Sequence, residues 1–436
     1  MKIFLALSFT TLLLLANPRV SAADPLPTPA CAWQFEWSPF GLGNWGWADT
    51  ANRWPYMPID AQWQKLTITG AYPKVRFFSF AVYDNAPAST GLANRLFDAQ
   101  IVPDPGGCNP FDPGSCNPSA SPDSTYTITV TRSNSTAAYN EIQLHGDTGW
   151  LVLRLYLPNA GGDSLGGVPL PEVKITDVNG QTTLLPTCPV FNRQSEIAKL
   201  QPQIVPPQLE YPLEDPTPFP PVPDRIWFGA IKEPPPVLLP NPDQKYLVSF
   251  FMPEYKPGRV IVIRGKMPAF PDTYRGRPVS QPAPGFKTVQ LRYWGLCQAE
   301  LVSPMSITKC ATDASTPLDG HGFYTIVVSN DVLRPTWLPK KVVWLPWGDE
   351  KQVPKLIFIR NLLASDGFSQ SVQNAIKQGC GFDLTFPTPP TQDQIKNSGQ
   401  CAQAVMENYY PEAVWCDVRT FREGGWRACF RAAGVR

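Results

Sequence analysis

Val75-Arg76-Phe77-Phe78-Ser79-Phe80 recurs as Leu291-Arg292-Tyr293-Trp294-Gly295-Leu296, a shift of 216 positions (291 − 75). Both runs are rich in aromatic and β-branched residues, which suit a pleated, half-buried surface. Working outward, Tyr126-Thr127-Ile128-Thr129-Val130 matches Tyr324-Thr325-Ile326-Val327-Val328, and Leu153-Arg154 matches Ile359-Arg360. Upstream, residues 57–73, with Met57-Pro58, Gly70 and Pro73, match residues 252–268, with Met252-Pro253, Gly265 and Pro268. That match holds at one shift of 195 (252 − 57). Four matches in one order point to an internal repeat. Each copy has too few strands to cover both faces of one sheet, so two packed sheets per copy are expected. The fold class expected is therefore all-β: two tandem jelly-roll-like β-sandwich units. Gly70 and Gly265 are expected at tight bends or bulges, where a side chain would clash.

Composition agrees. Of 436 residues, 43% are hydrophobic and 12% aromatic, ample for packed cores. The 51 prolines disfavour long helices, because proline lacks a backbone donor and clashes inside one. Lys+Arg 37 against Asp+Glu 36 leaves no field for nucleic acid, so no nucleic-acid partner is expected.

Residues 1–22 read as a signal peptide, with Met1-Lys2, an apolar run from Phe4 to Ala16, and the small-residue pattern Val20-Ser21-Ala22. No later run is long enough to span a bilayer, so a secreted, extracellular or periplasmic protein with no transmembrane segment is expected. Ten cysteines in an exported chain read as disulfides. They are Cys31, Cys108, Cys116, Cys188, Cys297, Cys310, Cys380, Cys401, Cys416 and Cys429. Local pairs are plausible for Cys108–Cys116, Cys297–Cys310 and Cys416–Cys429, and Cys31–Cys188 could clasp the first unit. The absence of C-x-x-C and a total of two histidines argue against zinc, and no cofactor or metal is expected.

The first unit is placed at 23–201 with a Trp-rich entry, and a stiff linker at 202–242, which holds fourteen prolines. The second unit is placed at 243–379. A small, disulfide-bonded, partly helical tail follows at 380–436. Ser369–Gln378 and Gln392–Tyr410 are helix-compatible.

Arg76-Phe77-Phe78-Ser79 with Tyr83-Asp84, then Leu153-Arg154-Leu155-Tyr156-Leu157-Pro158, resembles the jelly-roll module called domain of unknown function 1214. The second copy is similar through Arg292–Cys297, Trp337-Leu338-Pro339 and Trp344–Gly348. The chain also resembles a group of uncharacterised secreted bacterial proteins with this layout. The resemblance spans about residues 50–370 and implies the fold, but it carries over no catalytic residue.

Arg76, Arg292, Arg154 and Arg360 recur inside apolar strands, so each must be paired. Asp84, Glu300 and Tyr156 are candidate partners. One reading is a repeated scaffold ion pair, which repetition favours. The other is an arginine-lined cavity gripping an anionic or polyhydroxylated ligand. Trp45 and Trp47 belong to a Trp-rich segment that reads either as packing over one end of a sandwich or as a stacking platform for a carbohydrate or other small ligand. Gly162-Asp163-Ser164-Leu165-Gly166 satisfies G-x-S-x-G, but neither a strand directly before nor a helix directly after is expected, and only His145 could approach. His145 and His321 sit in Gly/Asp turns. Asp104, Asp112 and Asp123 could hold calcium only outside EF-hand spacing, and Asn134-Ser135-Thr136 is a glycosylation sequon.

Two readings of function follow. The first is a non-catalytic extracellular or envelope protein that binds a small ligand. The second is an extracellular hydrolase or lyase acting on glycans or lipids, with its site between the units. The fold alone cannot choose between them.

Overall fold

Thr125–Thr131 alternates strictly: Tyr126, Ile128 and Val130 are buried, and the threonines between them are not. A period of two turns one face inward, and the whole chain is organised by that rule. The computed structural model describes residues 28–435 apart from 40, 87–90, 113, 115, 117–123, 133–138, 205–223, 235–238, 252–257, 302–303, 349–353 and 385–389. The leader at 1–22, Asp123, Asn134, Met252-Pro253 and most of the Pro-rich stretch fall outside these residues.

The first half holds β1 (Phe35–Trp37), β2 (Asn52–Ile59), β3 (Trp63–Ala71), β4 (Val75–Asp84), β5 (Gly91–Phe97), β6 (Thr125–Thr131), β7 (Glu141–Gln143), β8 (Gly149–Pro158), β9 (Glu172–Asp177) and β10 (Thr182–Leu185), then α1 (Gln194–Ile204). They form two five-stranded sheets, ordered β1-β2-β8-β4-β5 and β10-β9-β3-β6-β7.

The second half holds β11 (Arg225–Ile226), β12 (Gly229–Ile231), β13 (Gln244–Phe251), β14 (Arg259–Lys266), β15 (Leu291–Glu300), β16 (Ile307–Thr312), β17 (Phe323–Ser329), β18 (Val343–Pro346) and β19 (Lys355–Ala364). It continues through α2 (Val372–Lys377), α3 (Gln392–Met406), β20 (Glu412–Asp417) and α4 (Val418–Ala432). Its sheets run β12-β13-β19-β15-β16 and β11-β20-β14-β17-β18. The fold is all-β with two sandwich units, as expected.

The strand orders of the two halves correspond except at one edge, where β10 follows β9 in the chain but β11 precedes β12. Within each half, the inner face of one sheet packs on the other; Phe78, Phe80 and Val82 of β4 meet Ile68 of β3 and Ile128 of β6. The opposite face of β4 is also buried. Phe77, Ala81 and Tyr83 share a core with Tyr293 of β15 and Leu362 of β19. The two central sheets therefore face one another, giving four layers. This double burial explains why β4, β8, β15 and β19 are almost continuously apolar instead of alternating.

Gly70 lies opposite Tyr126, and Gly265 opposite Tyr324. A Cβ at Gly70 would come within 2.7 Å of the Tyr126 hydroxyl, and one at Gly265 within 2.5 Å of the Tyr324 hydroxyl. These glycines make room for a cross-strand tyrosine rather than a bend. Gly265→Ala should push Tyr324 off Trp294, whose ring centroid lies 4.9 Å away, and cost about 1–3 kcal/mol. Urea unfolding followed by tryptophan fluorescence measures this; an unchanged midpoint would refute the contact.

Three expectations are corrected. Residues 225–231, assigned to the linker, hold two short strands, β11 and β12, and Ile226 and Phe228 are buried in the second core. Residues 380–436 are partly helical and disulfide-bonded, yet they also supply β20, which pairs with β14 inside the second sandwich. The Met57-Pro58 match does not follow the register. Tyr56 pairs with Val152 and Val248 with Phe358, so Met57 holds the place of Ser249.

All ten cysteines are bridged, as Cys31–Cys188, Cys108–Cys116, Cys297–Cys310, Cys380–Cys401 and Cys416–Cys429. No helix among the described residues is long and apolar enough to cross a membrane.

Candidate functional site

The four strand arginines separate into two pairs, both at the junction of the units. Arg76 on β4 reaches across to Asp313, just after β16, with Nη1 at 2.8 Å from Oδ1. Arg292 on β15 reaches back to Asp98, just after β5, with Nη1 at 2.9 Å from Oδ2. Each acid also accepts a backbone N–H from the strand beside it, Asp98 from Phe78 and Asp313 from Trp294. The two bridges are thus reciprocal. Burial pushes the Asp98 carboxyl up to about 6, with the Arg292 guanidinium opposing. Burial raises the Asp313 carboxyl too, with Arg76 opposing. Asp84 and Glu300, expected as partners, are engaged elsewhere. Asp84 accepts the backbone N–H groups of His145 and Gly146, and Glu300 pairs with Lys355.

Arg154 on β8 and Arg360 on β19 line a cavity of about 70 Å³ between the units. Trp47, Trp54, Tyr156, Tyr246, Phe250 and Phe358 wall it. Arg360 donates through Nη1 to Asp49 Oδ2 at 3.0 Å and through Nη2 to the Trp47 carbonyl at 2.5 Å. Arg154 donates through Nη2 to the Tyr83 hydroxyl at 2.8 Å and the Leu239 carbonyl at 2.7 Å. Its side chain makes no ion pair with a carboxylate among the described residues, and its Nη1 is buried without a hydrogen-bond partner. Tyr156, the other expected partner, bonds Asn241 and Gln244 instead.

Trp47 is half-buried at the cavity wall. Trp45 is not a wall residue. It is 1% exposed and packs edge-on against Trp37 in the shared core. Trp33, Trp37, Trp54 and Trp63 are buried as well, so the Trp-rich segment is chiefly packing.

Ser164 is exposed in a glycine-lined turn that leads to a strand, and its Oγ accepts from Arg53 Nη1 at 2.6 Å. Nothing there resembles a nucleophile elbow. His145 Nδ1 lies 3.5 Å from Asp84 Oδ2, and the His321 backbone N–H caps a turn on Asp319. Asp104 accepts from Thr125. Asp49, Cys297 and Cys310 cluster closely enough to hold an ion. The two sulfurs are bonded to each other and the carboxylate to Arg360, so the donors are already used.

No known family model matches the chain, and no curated protein matches it. Among solved structures, it is similar to an uncharacterized protein from Burkholderia cenocepacia at 14% identity and a TM-score of 0.47, covering 77% of this chain and 79% of that one. It is also similar to the VPA0106 protein from Vibrio parahaemolyticus at 9% identity and a TM-score of 0.34, covering 73% and 85%. Likenesses at this level carry no argument about function.

Proposed function

We propose that this is an exported, non-catalytic binding protein that takes a small ligand into the cavity between its two sandwich units. We also propose that the units are copies of one duplicated module of the kind resembled by domain of unknown function 1214. Matching strand orders, reciprocal arginine bridges and equivalent Gly–Tyr pairs support duplication. Five disulfides support export, since such bonds persist in oxidising compartments.

One observation carries the binding reading. Arg154 is 2% exposed, lines an aromatic-walled cavity, and has a buried donor nitrogen without a hydrogen-bond partner among the described residues. A buried cation with a free donor is costly unless something polar meets it. Apolar walls with a few convergent polar groups are the ordinary makeup of a small-molecule site.

A thermal-shift screen of small organic molecules tests the reading, with Val248→Phe as comparison. Val248 lines the cavity, and phenylalanine would fill it. Compounds that raise the melting temperature of the wild type should lose their effect on Val248→Phe. Equal shifts in both would remove the cavity as the site. The competing hydrolase reading leans on Ser164. Ser164→Ala should leave hydrolysis of ester and glycan substrates at the wild-type level, and a loss of activity would revive that reading.

A further inference from the structure

We propose that the loop joining β17 to β18 docks this protein on an anionic lipid surface, with Val332 and Leu333 at the boundary of headgroups and acyl chains and the basic residues around them on the headgroups. The observations behind this lie apart from the cavity.

β17 and β18 are parallel, so residues 330–342 must travel back along the sheet. Most of that connection packs down. Leu338 is 5% exposed and shares a core with Val327 of β17, Val260 and Val262 of β14, and Phe421 and Phe430 of α4. The Trp337 ring meets Phe421 edge-on at 6.0 Å. Two short turns hold the path, Leu338 N donating to Pro335 O at 3.2 Å and Val342 N to Pro339 O at 2.9 Å. The Arg334 guanidinium ties them together. Its Nη1 donates to the Val342 carbonyl at 2.9 Å and its Nη2 to the Pro339 carbonyl at 2.7 Å.

Val332 and Leu333 stand outside this packing. They are 84% and 79% exposed, more than any other large aliphatic side chain among the described residues. Single apolar residues on a surface are ordinary. Here two are adjacent, and the braced turns beside them hold the pair out in water. The sandwich itself does not require them. β6 and β7 are also parallel, yet their connection, residues 132–140, contains no valine, leucine, isoleucine or lysine.

The charge around the tip is chiefly positive. Arg334, Lys340 and Lys341 are exposed, as is Lys309 on β16. None of the four pairs with a carboxylate among the described residues. Partial burial lowers the pKa of the Lys309 ammonium and the Arg334 charge lowers it further, so these two cations lie within reach of each other. Lys309 Nζ sits 5.1 Å from the centre of the Trp344 ring, whose indole N–H donates to the Ser329 hydroxyl at the start of the loop. Across the Trp337–Phe421 contact, α4 adds exposed Arg419, paired with Glu423, and exposed Arg422. The acid within the loop, Asp331, accepts from the Ser329 hydroxyl at 2.7 Å.

Exposed aliphatics alone would suit a second copy or another protein. Cations left without carboxylates select an anionic surface. Apolar insertion joined to attraction for anionic headgroups is the physics of interfacial binding, and half-buried tryptophans such as Trp337 and Trp344 suit the headgroup level. The whole chain carries a net charge of only +1, so the attraction is local to this patch and open to screening.

Co-sedimentation of the full mature chain with vesicles tests this, using phosphatidylcholine alone and an equal mixture with phosphatidylglycerol. The mixed vesicles should bind at least about tenfold more tightly, and raising salt from about 0.1 M to about 0.5 M should remove most of that gain. Val332→Ser with Leu333→Ser, and Lys340→Glu with Lys341→Glu, should each weaken binding by about tenfold or more. Both should melt within about 2 °C of the wild type, since the altered side chains are exposed. Val178→Ser with Leu184→Ser, which alters exposed aliphatics of the first unit, should bind like the wild type. Equal binding to both vesicles, binding that neither loop variant weakens, or no binding would each overturn the proposal. A dimer in analytical ultracentrifugation that Val332→Ser with Leu333→Ser dissolves, without vesicle binding, would overturn it by giving the tip to a second copy.

Discussion

Arg76→Met should lower the unfolding free energy by about 3–5 kcal/mol, and adding Asp313→Leu should recover most of that loss. Arg76 and Asp313 have fully buried side chains. Removing the arginine leaves a fully buried carboxylate without its ion-pair partner. The backbone N–H of Trp294 on Asp313 and the hydrogen bond from Arg76 Nε to Thr273 add to the polar contacts around this pair. Removing both ions replaces a desolvated pair with apolar contact, which costs far less. Guanidinium unfolding of the wild type, both single variants and the double variant measures the coupling directly. If the double variant is as unstable as Arg76→Met, the arginine acts through packing, including its contact with the Phe270 ring at 5.3 Å. The reciprocal pair should lose less on Arg292→Met, because that side chain is 14% exposed and water can partly replace it.

That reciprocity could be half read in the sequence. The recurrence of arginines inside apolar strands was visible, and so was the need for partners. The partners were not visible, because each acid lies in the other unit, beyond the edge strand. Asp98 and Asp313 differ by 215 positions (313 − 98), nearly the shift of the arginines themselves, and that was the available signal. Arg76 and Arg292 each bridge the units by an ion pair, while Arg154 and Arg360 line the space between them and Arg360 pairs with Asp49. The run Ile226-Trp227-Phe228 stands out in the Pro-rich stretch as one that could lie on a domain surface, but the proline content hides that Ile226 and Phe228 are buried in the second core. α4 was hidden in the same way. Gly424-Gly425 interrupts its helical pattern, and Gly425 is indeed non-helical there.

Loss of the Cys31–Cys188 bridge should cost about 5 kcal/mol, against about 2.5 kcal/mol for Cys108–Cys116, on loop-closure entropy alone. The two bridges close loops of very different length, with sequence separations of 157 and 8. The longer one joins the entry segment to the chain leaving β10 and so encloses every strand of the first unit. Native contacts at its two ends are sparse but specific. Ala32 N donates to Pro186 O, and Cys188 N donates back to Ala32 O, both at 2.9 Å. Trp33 then wedges into the core, its indole N–H on the Pro171 carbonyl at 2.8 Å. Without the covalent clasp, these contacts must order the entry segment unaided, and the anchor is lost that presents Trp33 to the first unit's inner core and Trp37 and Trp45 to the shared core. Cys31→Ser with Cys188→Ser should therefore unfold at clearly lower denaturant than Cys108→Ser with Cys116→Ser. The reverse order would mean that the entry segment is held by its tryptophans and that the bridge adds little.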